Sequence, residues 1–143
     1  MSDVSVARTE HGYQVAPETQ VPAGIRLRDK ARVLLGHDVT VDGGVFLAGT
    51  LHTQPRVKIG GPVRCFGDVL IGPGSEVHGG IESGGAVRIL PDAKVYGHIT
   101  AVTDVHLHDG CKVAGAVVTT GDIVVHGEAE TGDLRPEGRV RSE

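Results

Sequence analysis

Large side chains are scarce in this chain of 143 residues: it has two Tyr, two Phe and no Trp, with a single Met. So few aromatics argue against a core built on large rings, and against a surface that stacks the bases of single-stranded nucleic acid. Cys65 and Cys111 are too few for a disulfide framework and lack metal-ligand spacing. Bases are also in short supply, with 14 Lys and Arg against 18 Asp and Glu for a formal charge of −4, which leaves no excess to neutralise a phosphate backbone. Nucleic acid is not an expected partner. No apolar run approaches the length of a membrane span, and the first residues lack the basic and apolar regions of a signal peptide. The expected location is therefore the cytoplasm.

Small and turn-forming residues are abundant instead, with 22 Gly and 7 Pro. At that density helices are interrupted at every turn, so burial falls to aliphatic side chains in short strands. Those side chains recur every six residues from Val33 to Ala129, and a second column two positions on runs from Leu35 to Thr131. The two columns hold Val, Ile, Leu and small residues, and no charged one. Charge excluded so completely marks an inside. Two inward residues flanking one outward residue make a strand of about three residues, and the rest of each hexad turns the chain.

A deeper repeat of 18 groups the hexads in threes. Gly43, Gly61, Gly79, Gly97 and Gly115 recur on one corner, and Pro55, Pro73 and Pro91 on another. Corners with separate chemistry imply a three-sided prism of stacked parallel strands. Both cysteines point into it, too far apart along the axis for a disulfide. The expected organisation is an N-terminal tail over 1–24, a β-helix over 25–131 with 25–32 as an imperfect start, and a C-terminal tail over 132–143, both tails disordered.

Glycine placement separates two kinds of triangular solenoid. Left-handed hexapeptide-repeat proteins put a small residue directly after the second inward position, where this chain has glycine in only four hexads (Gly36, Gly60, Gly72 and Gly84) and Phe66, Leu90, Tyr96 and Val102 in others. Here glycine prefers the next position, to supply a positive φ or a close approach of coils. The fragments VDGGV, IGGPV, VHGGI, VYGHI and VAGAV, with CFGDV at 65–69 and TGDI at 120–123, resemble the repeats of the bactofilins. That resemblance implies a right-handed three-sided parallel β-helix between short disordered tails, in a cytoskeletal protein that forms polymers. The phenylalanine that such proteins carry in the terminal coil at the polymer contact has no counterpart, since no Phe follows Phe66.

Chemistry-bearing residues give no complete site. His108 and His126 are 18 residues apart and should stack at one corner with His106 nearby, as should His78 and Tyr96 with His98 beside them, yet no acid recurs to complete a ligand set. Ser75 and Ser83 fall on inward positions, where a hydroxyl bonded to backbone is expected. IGPGSEVHGG lacks the Lys and Ser or Thr of a phosphate loop and the helix that comes after one. Catalytic, cofactor-binding and metal sites are therefore expected to be absent, as is a small-molecule substrate. The alternative is a trimeric left-handed hexapeptide-repeat enzyme of the acyltransferase or zinc carbonic anhydrase type, which would need a histidine at a subunit cleft.

The expected function is structural: self-association end to end into filaments that need no nucleotide. With no amphipathic segment to cap the prism, terminal coils present unpaired backbone groups. The expected contact residues are Val33, Leu35, Val39 and Val41 at one end and Ile123, Val125 and Ala129 at the other. Client proteins or a membrane would attach through the tails.

Overall fold

The computed structural model describes residues 6–9, 12–22, 24–28, 30 and 32–142, and it is all-β, with no helix among them. The chain winds about seven times around one core, and its coils stack short strands into three sheets. Side A stacks Gly12–Val15, Arg32–Leu35, Thr50–Thr53, Val69–Ile71, Val87–Ile89, Val105–Leu107, Ile123–Val125 and Val140–Ser142, with Val6–Thr9 added antiparallel outside the first. Side B stacks Gln20–Val21, Thr40–Val41, Lys58–Ile59, Glu76–Val77, Lys94–Val95 and Lys112–Val113. Side C stacks Ile25–Leu27, Val45–Leu47, Val63–Cys65, Ile81–Ser83, Ile99–Ala101, Val117–Thr119 and Leu134–Pro136.

The repeat of 18 is the pairing register itself: Val63 lies beside Ile81, Ile81 beside Ile99, and Ile99 beside Val117. The inward columns are buried as expected, except Val125, Ala129 and Thr131 near the C-terminal end. Cys65 and Cys111 are free and buried, and burial pushes their thiols up to about 12 and about 11. They pack as small apolar side chains. Ser75 Oγ accepts from Val57 N and donates to the Gln54 carbonyl, both at 3.0 Å, and Ser83 Oγ donates to the Gly67 carbonyl at 2.7 Å.

Both segments expected as tails carry strands of these sheets. At the N-terminal end the register is 20, pairing Tyr13 with Val33, Val21 with Val41 and Ile25 with Val45. The two extra residues fall between Leu27 and Val33, so the inward columns of the first coil are out of phase with the later hexads. At the other end the register shortens to 17, pairing Val117 with Leu134 and Ile123 with Val140. One missing residue reverses which side chains face inward, so Leu134 packs against the core while Arg135 is exposed.

The corners divide the work that the sequence assigned to glycine. Positive φ occurs after the proline corner, at Asp38, Arg56 and Asp92 as well as at Gly74 and Gly110. A proline followed by a residue of positive φ is the arrangement of a type II turn. The other glycine corner needs closeness: a Cβ on Gly79 would lie 2.6 Å from Pro62 N, and one on Gly97 2.7 Å from Gly80 N. Aspartates spaced by multiples of 18 residues, two of them in Gly-Asp steps, tie coil to coil. Asp68 Oδ1 accepts from Ala86 N, and Asp104 Oδ1 from Asp122 N, both at 2.9 Å, while Asp122 Oδ1 accepts from Arg139 N at 2.8 Å.

Candidate functional site

The ends of the prism are set by how the three sheets run out. At the N-terminal end the inward side chains are hidden, with Val15 0%, Val21 5% and Ile25 4% exposed. At the C-terminal end the sheets stop unevenly. Side B has its last strand at Lys112–Val113, and beyond it only the single bridge from Lys112 to Glu130. Sides A and C each continue by a further strand, Val140–Ser142 and Leu134–Pro136. The core is correspondingly uncovered there: Val125, Ala129 and Leu134 are partly buried, and Val140, paired beside inward Ile123, is 48% exposed. A hollow of about 470 Å³ lined by Val125, Ala129 and Glu130 adjoins this step.

The seven residues expected at the contacts are therefore distributed differently. Val33, Leu35, Val39 and Val41 are buried to 1% or less and form the second coil, beneath strands Gly12–Val15 and Gln20–Val21. They are interior residues, and the N-terminal end face lies one coil further out because the first coil begins at residue 12. Ile123 is fully buried, whereas Val125 and Ala129 do reach the end. Sequence reasoning missed Leu134 and Val140, whose apolar character was the available signal once a one-residue slip is allowed.

Side faces carry the outward ladders. On side B, Thr40, Lys58, Glu76, Lys94 and Lys112 lie in register, with Lys112 Nζ 3.9 Å from Glu130 Oε2 and His78 Nε2 3.4 Å from Glu76 Oε1. On side C, Arg26 lies over the Phe46 ring at 5.4 Å, and Arg64 Nε bonds Glu82 Oε2 at 2.6 Å. At the A–B corner Arg56 grips Asp38 through two bonds of 2.9 Å. That guanidinium, with His37 beside it, holds the Asp38 carboxyl far below the usual carboxylate range. Phe66 is 74% exposed on the corner after side C.

The histidines stack as the spacing predicts, His108 on His126 at 4.6 Å between ring centroids and His78 on Tyr96 at 4.8 Å. His106 Nδ1 lies 3.2 Å from His126 Nε2 with the rings nearly parallel, 5.5 Å apart between centroids. That separation is about the nitrogen distance plus two ring radii, so the nitrogens point at each other along the line of an N–H···N bond. Burial, then His126, His106 and Arg88, lower the pKa of His108. Val124, expected to face outward, is 1% exposed; it lies between His106 and Arg141 in the sheet and two residues before His126. Among the described residues no three or more His, Cys, Asp or Glu side chains are grouped to hold a metal, and no helix is long and apolar enough to cross a membrane.

No family model, curated protein or solved structure matches the chain.

Proposed function

We propose that this protein is a structural scaffold whose subunits join through the ends of the prism into filaments, without nucleotide. The reading rests on one observation: the C-terminal coil is left as an uneven, partly apolar step with sheet edges at Lys112–Val113, Leu134–Pro136 and Val140–Ser142. Open strand edges of this kind are templates for another chain. The apolar side chains there add an area-dependent attraction that a solvated face lacks. Similarity of the glycine-centred repeats to those of the bactofilins supports the same reading, as do sides built of ladders and short strands.

The test is a pair of substitutions watched by negative-stain microscopy in chelator with no triphosphate added. Val125→Arg puts a charge on the C-terminal step, where it reaches water in the monomer but is buried and unpaired in a polymer. It should give folded single subunits. Thr100→Arg, on the exposed face of side C, should leave filaments intact. Filaments lost with Thr100→Arg and kept with Val125→Arg would replace end contacts by lateral packing, and filaments that form only with ATP or GTP would remove the nucleotide-free part.

A further inference from the structure

Both phenylalanines of the chain lie on one hollow of about 390 Å³, which opens on side C and the corner after it. The charged residues lining it are Arg26, Arg28 and Arg64, and no acid lines it among the described residues, although the chain has a formal charge of −4. The repeat requires neither ring. Phe46 occupies the outward place held by Arg64, Glu82 and Thr100 in the following coils, and Phe66 the corner place held by Ala48, Gly84 and Val102 in others. Phe66 is nevertheless the most exposed large apolar side chain described.

The bases differ in how far they are engaged. Arg64 is held by Glu82, and Asp68, two residues after Phe66, is turned to Ala86 N. Arg26 lies over the Phe46 ring, a contact that leaves its N–H groups available to an anion. Neither Arg26 nor Arg28 forms an ion pair among the described residues; Asp29 lies outside them.

We infer that this hollow docks an acidic segment of a partner protein, with one apolar side chain against Phe46 and Phe66 and flanking carboxylates bound by Arg26 and Arg28. Rings alone would take any apolar group, whereas guanidiniums without an acid among them select an anionic one. Aromatic and arginine side chains are also the residues that anchor interfaces. The volume is at the low end of ligand clefts, roughly 300–1,000 Å³, and suits a side chain better than a large cofactor. Because the hollow opens on a side of the prism, the inference goes beyond the end-contact reading and does not depend on it.

The probe is the fluorescein-labelled peptide EELFEE, titrated with the full chain in about 50 mM NaCl and read by anisotropy, with KKLFKK and EESSEE as controls. EELFEE should bind with a Kd of about 100 µM or tighter, and each control at least about tenfold more weakly. Phe66→Ser should weaken EELFEE by about tenfold or more, and R26E/R28E should abolish binding. Val102→Ser, at the same corner place two coils on, should leave the Kd within about twofold. These side chains are all exposed, and melting curves check that each variant folds. EELFEE that fails to bind, binds no better than KKLFKK, or binds the Phe66 and arginine variants like wild type overturns the inference. Two results would overturn it by giving the hollow another occupant. Sedimentation with phosphatidylglycerol vesicles that Phe66→Ser abolishes, with EELFEE unbound, assigns it to a lipid surface; assembly lost in Phe66→Ser, with EELFEE unbound, assigns it to a second copy. Microscopy of the same samples separates the two readings: peptide bound without filaments removes end contacts alone, and filaments without bound peptide remove this inference alone.

Discussion

The two ends of the prism are built from one repeat and finish in opposite ways. The first coil keeps all three sides, with Val15, Val21 and Ile25 nearly inaccessible, and an antiparallel strand lies outside side A. The last coil gives side B only one bridge and leaves Val140 half exposed. Two residues gained between Leu27 and Val33, and one lost between Glu130 and Leu134, account for the different registers. A repeat fixes how coils stack; departures from it decide how the stack ends.

The sharpest way to break this contrast is the same substitution at each end. Val15→Asp places an unpaired carboxylate in a closed site and should cost more than about 3 kcal/mol, seen as a melting temperature lowered by roughly 10 °C or more. Val140→Asp, at the corresponding inward place on the open end, should change stability by no more than about 0.5 kcal/mol. Equal effects would mean that the ends are equivalent. A middle-sized effect is expected inside the prism, where Ser75→Ala leaves the buried Val57 N–H without its hydroxyl partner and should cost about 1–3 kcal/mol in chemical denaturation. If that loss proves negligible, the hydroxyl only fills space.

Asp122→Ala should act locally. It removes the acceptor of Arg139 N and the neighbour of Arg141, so amides of 139–142 should exchange faster while the global melting temperature moves little. Asp68→Ala, the equivalent change in mid-prism, should instead lower the global stability by about 0.5–1.5 kcal/mol. Smallest is a pH effect at the C-terminal end. Because the folded-state pKa of His108 lies below the ordinary 6.5, the unfolded chain binds more protons near that pH. The contribution of His108 is complete above 6.5 and declines as pH falls toward the lowered value. His108→Gln should therefore flatten part of the loss of stability between pH 7 and 5. An unchanged profile would show that its stacking on His126 is indifferent to charge.

Much of the fold was legible because side-chain burial and strand pairing share one period. The hexads from 33 to 123 placed every inward residue, and the spacing of 18 anticipated both the coil pairing and the His108–His126 stack. The parts that stayed hidden lie beyond the two register changes. Counting down by sixes from Val33 meets Leu27, Val21 and Val15, which the structure puts in the other inward column, beside Leu47, Val41 and Leu35. The missing C-terminal residue likewise puts Arg135 where the period wants an inward side chain, so the pattern looks finished when it has only slipped. This is why the N-terminal end of the prism was expected one coil too far in. Val124 was unreadable for another reason: it is buried at an outward place in the hexad, between His106 and Arg141 on the two flanking strands.

The central claim is that subunits meet at their ends, and hydrogen exchange compared between subunit and assembled protein tests it most directly. Assembly should slow the amides of Leu134, Arg135 and 140–142 and those of the first coil, while Ile81–Ser83 and Ile99–Ala101 exchange at unchanged rates. Protection spread along side C or side B, with the terminal strands exchanging as fast as in the single subunit, would contradict it.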